Sequence, residues 1–357
     1  MTEKFDFNDI LIVPKIKTHI NSRYKDITLP QKLPLFTAPM DTVVDEKNIN
    51  IFLKNNINVV LPRTVKYNKT LVNDILDKTK NDNNIFISFG FDDLDNMYNG
   101  QLSKDFNFLH KNANILIDVA NGHMQKNIDY AKEIKRLRTD VTIMVGNIGN
   151  PQSYEWYAKQ ECVDYIRVGI GNGGGCLTTK NSGVGYPMAS LINETFLIKK
   201  QLKKENNIKK LPIIVADGGM KDYSDIIKAF ALGAERIMLG SIFNKAIESS
   251  GENYLYGIKL NEKWAKYFFK KKYPVKKYFR GMSTKEVQKK LGKSKINTSE
   301  GIVIYRNIEY FLSGWIENFK HYLRNQMSYC NAKTMEEFIG NVKFIKITKN
   351  AYDRFNK

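Results

Sequence analysis

The sequence predicts an α/β fold: a (β/α)8 TIM barrel with a flap-like extension and a C-terminal helix. Three observations lead there. Eight short runs of apolar and β-branched residues recur along the chain, and they are continuous rather than alternating, as in strands buried on both faces of a helix-covered parallel sheet. Helical patterns separate runs, as in NIDYAKEIKRLR (127–138) and YSDIIKAFALGA (223–234). A polar residue or glycine follows almost every run, and in a barrel those ends converge on the rim where catalysis takes place.

In chain order, the first run is LFTAPMD (35–41), ending on Asp41, and the second is NVVLPR (58–63), ending on Arg63. IFISFG (85–90) and ILIDVANG (115–122) follow, the latter carrying Asp118 and Asn121. TIMVGN (142–147) ends on Asn147, and YIRVGIG (165–171) opens into a glycine-rich stretch reaching residue 185. IIVADGG (213–219) and RIMLGS (236–241) complete the count. A doubly wound sheet is the alternative, but it would place a glycine-rich dinucleotide fingerprint where LFTAPMDTV stands. Residues from about 250 to 307 then form an extension near the rim. Residues 308–330 have helical periodicity, and VKFIKIT (342–348) reads as an edge strand or extended tail. With no internal repeat, the expectation is one barrel domain over 1–357.

The formal charge of +19 raises the question of nucleic acid. The lysines are scattered, however, and their local concentrations read as a solvated helix end (199–210) and an exposed loop (268–277). Nucleic acid is therefore not the expected partner, although anionic nucleotides would be attracted. No apolar run reaches membrane-spanning length, and the N-terminal residues lack a secretory layout, so a cytoplasmic setting is expected. Cys162, Cys176 and Cys330 form neither a CxxC pair nor a zinc spacing. Cys162 and Cys330 read as packing residues.

Cys176 is different, because it ends GNGGGC (171–176), the most glycine-rich backbone in the chain. Glycines at 169, 171, 173, 174 and 175 let the backbone turn tightly and approach a ligand closely. A thiol on such a loop can reach a substrate above the barrel and act as a nucleophile. After the seventh and eighth runs, Gly218, Gly219, Gly240 and Ser241 suit backbone binding of phosphate. Asp217 suits the vicinal hydroxyls of a ribose.

FDFNDILIVPK (5–15), APMDTV (38–43), LIDVANGH (116–123), GIGNGGGC (169–176), GVGYP (183–187), ADGG (216–219), MLGS (238–241), RGMS (280–283) and SEG (299–301) occur in the order found in the IMP dehydrogenase and GMP reductase superfamily. The resemblance covers nearly the whole chain. DVANGH and GVGYP resemble the reductase forms, the chain has no room for the regulatory CBS domain, and segment 281–301 lacks the Arg-Tyr pair with which a dehydrogenase activates water. The resemblance thus implies an NADPH-dependent GMP reductase, with a short NAD-dependent IMP dehydrogenase or a non-catalytic nucleotide-binding protein as alternatives. It implies Cys176 as the nucleophile at purine C2, with Thr178 and Glu300 as its proton relay. Gly218, Gly219, Gly240 and Ser241 would hold the phosphate, and Gly281, Met282 and Ser283 would border the base. Asp118, Ala120, Asn121, Gly171 and, more weakly, Arg63 are assigned to the cofactor. The carbonyls of Gly171, Gly173 and Cys176 match a potassium site, and a homotetramer is implied.

The chain departs from the family pattern in the same loop. Asn172 stands where proline is common, Gly174 where a phosphate-binding serine is usual, Leu177 where a threonine is usual and Thr179 where arginine is common. KSKINTSEG also lacks the arginine the reductase places before its glutamate. A lost serine removes a hydrogen bond to a charged group, about 1.5–3 kcal/mol. A deoxynucleotide or modified purine as substrate is one explanation of these changes, and sequence drift is the other.

Overall fold

The computed structural model describes residues 3–65, 85–98 and 114–355. Its strands are β1 (Ile10–Ile12), β2 (Leu35–Thr37), β3 (Val59–Leu61), β4 (Ile85–Phe89), β5 (Asn114–Asp118), β6 (Thr142–Ile148), β7 (Tyr165–Val168), β8 (Ile213–Asp217) and β9 (Arg236–Leu239). The extension and tail add β10 (Asn253–Leu255), β11 (Ile258–Leu260), β12 (Lys276–Arg280), β13 (Val303–Asn307) and β14 (Phe344–Lys346).

Strands β2 to β9 form one parallel sheet in the order β2-β9-β8-β7-β6-β5-β4-β3. The remaining edge is closed by a parallel bridge between Phe36 and Asn58. Asn58 fastens this seam, since its peptide carbonyl accepts the Thr37 amide at 3.0 Å and its own amide donates to Leu35 at 3.0 Å. Its side-chain Nδ2 also donates to the carbonyls of Leu33 (3.1 Å) and Leu35 (2.9 Å). The closed eight-strand sheet rules out the doubly wound alternative, and each barrel strand falls within its sequence-predicted run or overlaps it to within one residue.

Alternation along the strands sorts the barrel interior into layers. One layer is an apolar plug of Phe36, Val60, Phe86, Leu116, Met144, Val215 and Met238, against which Tyr165 packs. Phe86 meets Phe36 and Tyr165 edge-on, each at 5.5 Å between ring centroids, an arrangement that adds about 0.5–1.5 kcal/mol per pair beyond burial. Two residues further along β5, β7 and β8, the same inward face carries Asp118, Arg167 and Asp217. The plug is therefore a floor, and the cavity begins at the charged layer above it.

Helices cover the outside of the sheet. Tyr223–Leu232 shows how local sequence sets its limits: Asp222 caps its start through the Asp225 amide (3.0 Å), and Gly233, with a left-handed φ, ends it. Leu312–Tyr329 is the expected C-terminal helix and buries Trp315, Phe319 and Leu323 in the main core. VKFIKIT proves to be an edge strand, since β14 pairs antiparallel with β1. The basic stretch at 199–210 includes the end of helix Met188–Glu205, as expected.

The extension contains a four-stranded antiparallel sheet in the order β11-β10-β12-β13 and the helices Glu262–Lys270 and Lys285–Lys290. Ile247, Leu255, Ala265, Val275 and Ile308 form its own small core. The basic segment 268–277 is the exposed loop that its charge predicts only in its middle, where residues 271–274 form an exposed turn. It ends one helix and begins β12, and Lys277 is fully buried with Nζ on the carbonyls of Ile247 (3.0 Å) and Ser249 (2.9 Å). Burial pulls its pKa down to about 7. Near the rim, Asp41 accepts Arg280 Nη2 at 2.6 Å and Lys290 Nζ at 2.7 Å, latching the extension to the barrel. No helix among the described residues is long and apolar enough to cross a membrane.

Candidate active site

A cavity of about 580 Å³ opens at the C-terminal ends of the barrel strands, under the extension. That volume lies within the usual range for small-molecule sites. The loop after β7 crosses it, pinned from above by the extension: Cys176 forms an antiparallel bridge with Gly301, Leu177 N–H donates to Glu300 O at 2.8 Å, and Ile302 N–H donates to Gly175 O at 3.1 Å. Three glycines make this crossing possible. A β-carbon on Gly281 would collide with the Gly175 carbonyl, and one on Gly301 would stand 3.1 Å from the Gly281 α-carbon.

The crossing brings residues distant in sequence into a short chain of polar atoms. Cys176 Sγ lies 3.2 Å from Thr178 Oγ1, and Thr178 Oγ1 lies 3.3 Å from Glu300 Oε2. Cys176 is half-buried at the cavity wall, whereas Cys162 and Cys330 are buried and burial raises the pKa of each.

Beneath them lies an ion-pair network centred on a residue that the sequence reading passed over. Arg167, buried on β7, donates Nη1 to Asp118 Oδ1 at 2.7 Å and Nη2 to Asp217 Oδ2 at 2.7 Å. Arg63 Nε adds a bond to Asp118 Oδ2 at 3.1 Å, and Asn147 Nδ2 one to Asp217 Oδ2 at 2.8 Å. Burial opposes ionisation of Asp118, but Arg167 and Arg63 outweigh it and hold the carboxyl below its ordinary pKa. Burial likewise opposes the charge on Arg167, and Asp217 and Asp118 more than compensate. The available signal was a lone arginine within a strand whose neighbours are apolar, two residues after the inward-facing Tyr165.

The remaining expected residues largely converge. Gly218, Gly219, Gly240 and Ser241 line the cavity with Asp217, as do Gly281, Met282 and Ser283 from the extension and Arg63, Asp118, Ala120, Gly171 and Gly173 from the rim. Asn121 is not among the lining residues; its Oδ1 accepts the His123 amide at 3.1 Å in a local turn. The unusual loop residues have local partners of their own. Asn172 Nδ2 donates to Tyr186 O at 3.2 Å, and Thr179 Oγ1 donates to Val184 O at 2.7 Å, so the loop is tied to the segment that follows it. Among the described residues, no cluster of His, Cys, Asp and Glu has the makings of a metal centre.

Position around the barrel gives the cavity two ends. In the strand order, β9 lies diametrically across from β5, and β8 across from β4, with β7 between them. The glycine turns after β8 and β9 therefore face Phe91 and Ala120, after β4 and β5, and the Cys176 loop stands between. Such a site can hold two ligands edge to edge beside a thiol.

The chain is similar to known proteins over most of its length. The chain is 26% identical over 366–374 aligned residues to GMP reductase 2 of Bos taurus and GMP reductase of Caenorhabditis elegans, covering 99% of this chain and 97% and 94% of theirs. It is 31% identical to the inosine-5'-monophosphate dehydrogenase of Chlorobaculum parvum, over 66% of this chain and 45% of that one. The family model for the IMP dehydrogenase / GMP reductase domain matches residues 107–354, and the chain belongs to that family.

Proposed function

We propose that this protein is a GMP reductase-type oxidoreductase that converts GMP, or a related guanine nucleotide, with NADPH and two protons into IMP, NADP+ and ammonium. The observation that carries this reading is the Cys176–Thr178–Glu300 chain at the cavity wall, together with GMP reductase relatives along the full length. The Cys176 thiolate adds to purine C2. The 2-amino group leaves as ammonia once protonated, and Thr178 and Glu300 lie where they can pass that proton. This leaves C2 joined to Sγ. A nicotinamide held at the Arg63, Phe91, Ala120 and Gly171 end of the cavity would supply the hydride for that carbon, and cleavage of the C–S bond would return Cys176 as the thiolate.

The cavity end at Arg63, Phe91, Ala120 and Gly171 suits the nicotinamide, because it faces the purine position across Cys176 and presents apolar surface beside a cation. At the other end, Gly218, Gly219, Gly240 and Ser241 receive the phosphate, Asp217 the ribose, and Gly281, Met282 and Ser283 the base. Asp217 Oδ2 already accepts Arg167 and Asn147, so it meets the sugar in a fixed orientation. A potassium ion on the carbonyls of Gly171, Gly173 and Cys176 would order the loop. The Gly173 carbonyl already accepts the Cys176 amide at 3.0 Å and keeps one lone pair for it. One barrel domain, a homotetrameric assembly and a cytoplasmic setting complete the reading.

Absorbance at 340 nm tests it directly. With potassium present, NADPH should be consumed with GMP or dGMP in step with ammonia release. A rise with NAD+ and IMP would reassign the protein as a dehydrogenase, and nucleotide binding without turnover would make it a non-catalytic member.

A further inference from the structure

Arg306 lies on β13, outside every ion pair described above. Its guanidinium stacks over the Phe279 ring at 4.5 Å and points Nη2 at the Gly174 carbonyl, 3.4 Å away. A β-carbon on Gly174 would stand 3.1 Å from that nitrogen and 3.8 Å from the Ser241 β-carbon. Gly174 and Ser241 line the cavity, and the guanidinium edge stands immediately behind Gly174, so the three flank one small space next to the cavity wall. Among the described residues, no carboxylate lies within ion-pair distance of Arg306. Glu309, its closest acid in sequence, is paired with Lys245 at 2.8 Å. Arg306 Nε is buried without a hydrogen-bond partner, and burial pulls the guanidinium pKa below its ordinary value.

Glu309 acts on this partly desolvated cation only from beyond ion-pair distance, and burial outweighs it, so an anion that reaches the guanidinium is favoured. Stacking on Phe279 fixes the plane of the fork in advance. The group that best fits a planar fork of donors beside a serine hydroxyl is a phosphate, which accepts two parallel N–H bonds. Resting on the reading that the cavity takes a purine nucleotide, we propose that Arg306 is a phosphate ligand: it reaches across Gly174 to pair with the 5'-phosphate beside Ser241 and selects nucleotides over nucleosides. Gly174 and Arg306 then act as a pair. Absence of a side chain at 174 leaves room for the guanidinium, which supplies the hydrogen bonding that a hydroxyl at that position could otherwise provide. Because Arg306 belongs to the extension and Ser241 to the barrel, the phosphate also joins the two parts of the protein.

Isothermal titration of wild type, Arg306→Met and Arg306→Lys with GMP, guanosine and inorganic phosphate tests the proposal, with thermal melts to verify folding. Arg306→Met should weaken GMP binding roughly 10- to 100-fold and leave guanosine binding unchanged, with Arg306→Lys in between. Equal losses for GMP and guanosine, or unaltered GMP binding in Arg306→Met, would overturn it. If wild type binds neither GMP nor guanosine, the nucleotide reading fails on its own. Inorganic phosphate then decides for Arg306: binding that disappears in Arg306→Met supports the anion role, and binding that persists refutes it.

Discussion

A β-carbon on Gly281 would collide with the carbonyl oxygen of Gly175, so the extension and the nucleophile loop are in backbone contact. Gly281→Ala must separate them. The expected outcome is a stability loss of about 1–3 kcal/mol in urea unfolding, with turnover reduced far more than melting temperature, because the displaced loop carries Cys176. A variant that melts lower but turns over normally would show that the crossing has no part in placing the thiol.

The Cys176–Thr178–Glu300 chain separates binding from chemistry. Cys176→Ala should abolish turnover while calorimetry still detects nucleotide binding. Glu300→Gln and Thr178→Val should lower kcat by roughly 10²–10⁴ with KM little altered, the range expected for loss of proton transfer. Surviving turnover in Cys176→Ala would remove the covalent step.

Arg167 neutralises two buried carboxylates at once. Arg167→Met leaves Asp118 and Asp217 buried with too little compensation, and the expected loss is about 3–5 kcal/mol, measured by chemical denaturation. Arg167→Lys, which keeps the charge but cannot fork to both acids, should fall between it and wild type.

Asp225 provides a pH test remote from the site. Burial, reinforced by Asp222, raises its pKa from 3.8 to about 6. The folded state thus holds this proton more tightly than the unfolded one. The associated stability is fully present below about pH 3.8 and declines as pH rises through about 6. Asp225→Asn mimics the protonated form, so its unfolding free energy, measured by urea denaturation, should gain on that of wild type progressively between pH 4 and pH 7, by up to about 3 kcal/mol. A constant difference across that range would contradict the assignment.

The barrel was legible because its strands are buried on both faces, which leaves continuous apolar runs in the sequence. The site was legible where glycine and cysteine stand in unusual company, as at 171–176. Arg167 was not, because one charged residue in an apolar strand gains meaning only when Asp118 and Asp217 arrive from neighbouring strands. The extension was legible as a region but not as a sheet. Two of the three residues of β11 are exposed and β13 alternates between half-buried and exposed, so neither leaves an apolar run. Lys277 misled for a related reason: residue type predicted solvent, and two backbone carbonyls provided a buried alternative.

The barrel wall is not uniform around its circumference. Seven of its junctions are ladders of paired strands, but β2 and β3 meet through one bridge, reinforced by the Asn58 amide and by the Thr37 hydroxyl, which accepts the Val60 amide at 2.9 Å. That junction is where the wall can breathe. Backbone amides at residues 37, 58 and 60 should exchange with deuterium before those at the centres of β5 to β8. Because β2 runs directly into Ala38, Pro39 and Met40, which line the cavity, each opening would momentarily reshape the vessel in which the chemistry takes place.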